Sequence, residues 1–277
     1  MATARASTYT ALSGDNIYAG ITPKIAHVYM SSGQSNCQGL GALADSPIPQ
    51  GDLIGNVRTW RRNTNGSSMY TGAGAWYGLE YDTNQYEGRG QFGSILKCAM
   101  NLQANLESVN DDVYFIQADG NGKPIVGWLN GGNENTAMYT HHIAPALQSL
   151  KDMGVYDEIR INSFMWIQGE SDSLNTDNAT AYKSRLETLA SDLRTFVGIP
   201  TLEFIVKRME ATPSHYTEAS TIVSAQEQFA TEDNNSQLIT GPWVYSDQVH
   251  LDGASLNNLG DDWYSATLNT RGAIYRG

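Results

Sequence analysis

Apolar positions along the chain fall into two alternating kinds of pattern. Short, nearly unbroken apolar runs recur in "IAHVYM" (25–30), "VYFIQA" (113–118), "IRINSFMWI" (159–167) and "TLEFIVK" (201–207), and more weakly in "VRTW" (57–60) and "SQLIT" (236–240). Runs of this length, rich in β-branched and aromatic residues, predict strands. Between them the apolar residues open out to helical spacing. In "FGSILKCAMNLQANL" (92–106), Ile95, Ala99, Leu102 and Leu106 stand four, three and four residues apart. Tyr182, Leu186, Leu189, Leu193 and Phe196 mark one face of a helix over 179–196, and further helices are expected within 134–153, at 217–230 and around 255–270. Pro145 must start, kink or split its helix, because it has no N–H to donate. Strands that alternate with helices predict an α/β fold, a parallel sheet with helices on both faces.

Two stretches lack this patterning. Residues 1–24 have no period and read as a Ser/Thr/Ala-rich lead-in or linker before one domain at 25–277. Their single arginine and missing apolar core do not make a secretory signal, so the compartment is left open: secretion, or a place in a larger assembly such as a virion. Residues 61–92 are polar, glycine-rich and aromatic. A loop this long in a compact domain is either functional or a mobile insertion.

Charge narrows the partners. The 277 residues carry 17 Lys+Arg against 29 Asp+Glu, a net charge of -12, with no basic cluster. Such a chain is not expected to bind nucleic acid or an anionic membrane. No apolar stretch is long enough for a transmembrane helix. Two cysteines, Cys37 and Cys98, are too few for a disulfide framework or a thiolate zinc site. His141 and His142 are adjacent, which on a helix turns them about 100° apart and away from a shared metal. Asn65, Asn178 and Asn234 sit in N-x-S/T sequons, which without a signal peptide carry little weight.

In open α/β sheets ligands bind beyond the carboxyl ends of the strands. Three polar clusters are expected there: "GQSN" (33–36), "QGESD" (168–172) and "DQVH" (247–250). Together they supply the parts for acyl transfer. Ser35 is the candidate nucleophile, His250 the base and Asp247 the acid that orients it. Oxyanion donors are expected from the Ser35 and Gly93 amides and the Gln168 side chain. Each cluster alone has a plain alternative. A serine in a glycine-rich turn is usually structural, and Ser171 or Asp172 could simply cap the next helix. Ser31 and Ser32 are expected to be turn residues, and Gln34 and Asn36 to shape the loop.

These blocks resemble those of the SGNH-type hydrolases, in particular the branch of sialate O-acetylesterases and carbohydrate esterase family 6 acetylxylan esterases. "GQSN", "WIQGESD" and "SDQVHLDG" carry the resemblance, with "FGSIL" and "GKPIVGW" as looser matches, over about residues 25–268. Carried over, it implies the triad Ser35, Asp247 and His250 and an oxyanion hole at Ser35, Gly93 and Gln168. It implies a three-layer α/β/α sandwich with a parallel, flavodoxin-like sheet of about five strands. It also implies removal of O-acetyl groups from carbohydrate without metal or cofactor. Cys37 stands where the family has Met, and Ser94 where it has Pro. Trp128 is then a candidate pocket wall. Glu170 is expected to hold the Ser35 loop through backbone amides, or to contact substrate. Trp76, Tyr77, Tyr81 and Tyr86 of the long loop are expected to line a sugar subsite. A lipase- or thioesterase-like enzyme and a non-catalytic carbohydrate-binding module are the alternatives.

Overall fold

The computed structural model describes residues 23–49, 52–62, 74–80, 90–106, 108–210, 215–268, 270 and 272–277. In chain order the elements are β1 (Ile25–Gly33), α1 (Ser35–Gln38), β2 (Gly41–Ala42), β3 (Leu53–Arg62), β4 (Gly74–Glu80), β5 (Gln91–Phe92), α2 (Ser94–Ala104), β6 (Asp112–Asp119), α3 (Asn133–Thr136), α4 (Ala144–Met153), β7 (Glu158–Ile167), α5 (Thr176–Val197), β8 (Phe204–Lys207), α6 (Ala219–Glu232), β9 (Ser236–Ile239), α7 (Gly253–Thr267) and β10 (Ala273–Ile274). The expected strands and helices are all present. Pro145 lies in the first turn of α4, directly after a π-helical stretch, Ala137–Ile143. There its missing N–H falls at a junction and breaks no regular ladder.

The main sheet has eight strands in the order β4-β3-β6-β1-β7-β8-β9, with β10 on the start of β7. It is larger than the expected sheet of about five. The run from β3 to β9 is parallel, while β4 and β10 pair antiparallel. The first strand lies between β6 and β7, and the second parallel strand, β3, lies outside β6. A flavodoxin-like order places the second parallel strand directly beside the first, so this sheet has a different topology.

Two cores explain the layers. Val28, Met30, Tyr114, Ile116, Phe164 and Trp166 point to one face and pack under the π-helical turn, α4, α5 and α6. Tyr29, Phe115, Met165 and Ile167 point to the other and pack under α2 and α7. In β7 the parity of the buried residues changes after Ile161, at a register shift against Val28 and Tyr29. The extra residue, Asn162, lets Ile161 and Phe164 share one face, which a strict period of two forbids.

The segment expected as one long loop is partly strand. Residues 74–80 pair with β3, and Trp76 packs edge-on against Trp60 and Tyr114 at the sheet margin. Residues 63–73 and 81–89, with Tyr81 and Tyr86, lie outside the described residues, as does 1–22 of the lead-in. Ser31 and Ser32 belong to β1, which continues to Gly33, and are not turn residues. Among the described residues, no helix is long and apolar enough to cross a membrane.

Candidate active site

The site gathers where β1 and β7 end together. Gly33 pairs in register with Ile167, and the Gln34 N–H donates to the Ile167 carbonyl at 3.0 Å. Gly33 has φ +146°, and a Cβ there would stand 2.0 Å from the Ile167 oxygen. Only glycine allows the chain to turn this close to its neighbour. Ser35 follows as the first residue of α1, buried.

Gly39 closes that short helix with φ +85°, and a Cβ on it would meet the Gly93 Cα at 2.2 Å. The two glycine backbones touch. Gly93 is the N-cap of α2, so the start of α2 is seated against the Ser35 turn. This seats Gly93, at the positive end of a helix, against the far end of the short helix that begins at Ser35.

Asp247 and His250 meet as the spacing predicts. The ring Nδ1 of His250 lies 2.8 Å from Asp247 Oδ2. The other carboxylate oxygen accepts the backbone N–H groups of Val249 at 2.6 Å and His250 at 2.7 Å. Burial alone would raise the Asp247 pKa; the bonds from the His250 ring and these amides outweigh it and hold the carboxyl at about 2. The acid is therefore ionised at any working pH. The loop is closed by a bridge between Tyr245 and Leu251.

Asn36 ties this loop to the serine. Its amide nitrogen donates to the Val249 carbonyl at 3.1 Å, and its oxygen accepts the Leu251 N–H at 2.9 Å. The same nitrogen donates to Glu170 Oε1 at 2.9 Å. Glu170 in turn lies 3.5 Å from Lys207 Nζ, and both side chains are buried. Burial pulls the Lys207 ammonium below its usual range, and Glu170 opposes that shift. The rings of Trp243 and Tyr245 face the ammonium at 5.7 and 5.9 Å. Glu170 thus supports the Ser35 turn through the Asn36 side chain, not through backbone amides. Asn36 does more than shape a loop, and Lys207 was not singled out from the sequence. Its one signal was a cation closing the apolar run "FIVK".

The remaining expected residues serve the frame. Gln168 is buried, and its NH₂ donates to Asp172 at 2.5 Å and to the Lys123 carbonyl at 3.2 Å. Asp172 is not a helix cap. It is buried and also accepts the Ile125 N–H at 2.8 Å, while Asn175 caps α5. Gln34 Oε1 accepts the Ser171 N–H at 3.2 Å and fastens the turn after β7. Trp128 is a core residue, not a pocket wall. It is 1% exposed, crosses Trp166 edge-on, and donates to Ser32 Oγ at 2.8 Å. Ser32 Oγ passes a hydrogen bond to the Ala118 carbonyl. Trp76 lies in β4, which β3 and β6 separate from β1. Cys37, within α1, packs into the second core, where burial and then Asp119 push its thiol pKa up.

A profile of the family described as carbohydrate esterase, sialic acid-specific acetylesterase matches residues 25–269. The chain belongs to this family. The family assignment carries a general esterase function and leaves the substrate to the site. No curated protein matches the sequence. Among solved structures, a protein from Arabidopsis thaliana is similar over 89% of this chain and 98% of its own, at 19% identity and a TM-score of 0.70. NanS is similar over 90% and 98%, at 14% identity and a TM-score of 0.64. A carbohydrate acetylesterase from Xanthomonas citri is similar over 86% of this chain and 55% of its own, at 16% identity and a TM-score of 0.61. At these identities the likeness establishes the fold that this member of the family shares with them.

Proposed function

We propose that the protein is a serine O-acetylesterase acting on acetylated carbohydrate. The observation that carries this reading is the Asp247–His250 pair, whose loop is bonded to Asn36, the residue that follows Ser35. The family description and the relative from Xanthomonas citri, a carbohydrate acetylesterase, support the choice of acetyl ester. Ser35 Oγ attacks the acetyl carbonyl carbon while His250 takes its proton. Asp247 holds the ring by Nδ1 and stabilises the imidazolium that forms. The Ser35 and Gly93 amides face the charge that develops on the carbonyl oxygen. With its NH₂ committed to Asp172 and Lys123, Gln168 is assigned to the frame of this hole. The tetrahedral adduct collapses, and the sugar oxygen leaves with the proton from His250. Water, deprotonated by the same ring, then cleaves the acyl-enzyme and releases acetate.

Wild type and Ser35→Ala are compared on a short aryl acetate, a long-chain aryl ester and an acetylated polysaccharide. Release of acetate from the polysaccharide by wild type, and a fall of at least about 10⁴-fold in Ser35→Ala, is the expected result. Equal release by both proteins sinks the triad. Preference for the long chain would point to a lipase- or thioesterase-like enzyme, and binding without release to a carbohydrate-binding module.

A further inference from the structure

We infer that Lys207, Glu170 and Asn36 form a line of positioning residues that sets where His250 stands relative to Ser35. The inference rests on the triad reading and extends it to residues that touch neither substrate nor the reacting atoms. Asn36 is bonded on both sides of His250, to the carbonyl before it and the N–H after it. Moving the Asn36 amide therefore moves the backbone that carries the base. Asn36 is also the residue next to Ser35, so one side chain spans nucleophile and base across 215 positions of sequence.

An amide in that place needs something to fix its rotation. Glu170 supplies it, accepting from the same nitrogen that donates to Val249. Glu170 does this just beyond the end of β7 from a buried position, 2% exposed. A buried carboxylate without a cation is costly and tends to neutralise. Lys207, at the end of the adjacent strand β8 and 1% exposed, is that cation. Its enclosure keeps it from reaching a ligand, which leaves support of Glu170 as its use. The order is Lys207 to Glu170 to Asn36 to the His250 loop.

The test uses the full chain. It measures kcat and KM on an aryl acetate, per active site counted with a serine-directed phosphonate, so that unfolded protein is not scored. It also follows the downfield Nδ1 proton of His250 by NMR. Asn36→Ala is expected to lower kcat about tenfold to a hundredfold with KM near wild type, and to shift or broaden the His250 proton. Adding Glu170→Gln to Asn36→Ala is expected to cost no more than Asn36→Ala alone, because Glu170 acts through Asn36. Lys207→Met alone is expected to lower kcat. Lys207→Met with Glu170→Gln is expected to recover most of that loss, since the new amide still accepts from Asn36 and no charge is stranded. An effect confined to KM, an unmoved His250 proton, or losses that add across Asn36 and Glu170 overturns the inference. Ser35→Ala separates the two readings. If it stays active, the triad falls; if it is dead beside a fully active Asn36→Ala, only the positioning line falls.

Discussion

Gly39 shows how much of the site is decided by single atoms. Its φ of +85° is one that side chains rarely adopt, and the space a Cβ would need is filled by Gly93 and Phe92 backbone. Backbone cannot swing aside as a long side chain can. Gly39→Ala is therefore expected to lose about 1–3 kcal/mol to the conformation alone, and to push the start of α2 from the Ser35 turn. The expected signature is a fall in kcat larger than the fall in folded fraction, read by esterase assay beside urea unfolding. Wild-type kcat in folded Gly39→Ala would mean that the contact does not position the hole. At this scale the sequence was a mixed guide. It offered Ser35, Asp247 and His250 as candidates, because such chemistry comes in short blocks, and Asp247 and His250 do meet. It hid Lys207, whose importance lies in a carboxylate 37 positions away that only the sheet brings near.

Elements were the most legible level. Period and run length located every parallel strand: the central β1, β6, β7 and β8 are buried almost throughout and read as strong apolar runs, while the partly exposed β3 and β9 left weaker ones. The edge strand β4 was missed for the complementary reason. "GAWYGLE" is half exposed and broken by glycine, so its pattern is that of a loop. Strand order was not legible either, because β1 pairs with partners that no local pattern connects to it. Arg194 illustrates how elements are then held. From the last turn of α5 it forks onto Asp233, donating to Oδ1 at 2.9 Å, and also reaches the carbonyls of Asn235 at 2.7 Å and Leu202 at 3.0 Å. One planar cation thus joins the end of α5 to the segments leading into β8 and β9. Lysine cannot reproduce the fork. Arg194→Lys is expected to lose about 1–3 kcal/mol in urea unfolding with kcat unchanged, since these contacts lie at the amino ends of the strands. A change in kcat at full folding would contradict that separation.

The whole molecule has a stability that depends on buried acid. Burial raises the pKa of Asp119 to about 7 and that of Asp172 to about 6, although hydrogen bonds to each pull the other way. In the unfolded chain both titrate near the ordinary value of about 3.9. Between about pH 4 and pH 7 the folded protein keeps protons that the unfolded chain has released, so these two groups make stability fall as pH rises. Asp119→Asn removes the larger share. It is expected to match wild type near pH 4.5 and to exceed it by on the order of 1–3 kcal/mol at pH 8, measured by urea unfolding at both values. A difference that stays flat with pH would show that Asp119 does not hold its proton.

The central place of β1 also has a consequence for how the protein is made. It is the first strand of the sheet to leave the ribosome, yet its neighbours come late: β6 follows β3 and β4, which lie outside it, and β7 follows β6. At about 5–20 residues per second, the 215 positions between Asn36 and Leu251 take about 10–40 s to synthesise. For that interval the nascent chain carries a serine with no base, and until β6 and β7 are made it also carries a strand with open edges. The emergence of ester hydrolysis would then report the docking of the His250 loop on Asn36, one of the last contacts the chain can make.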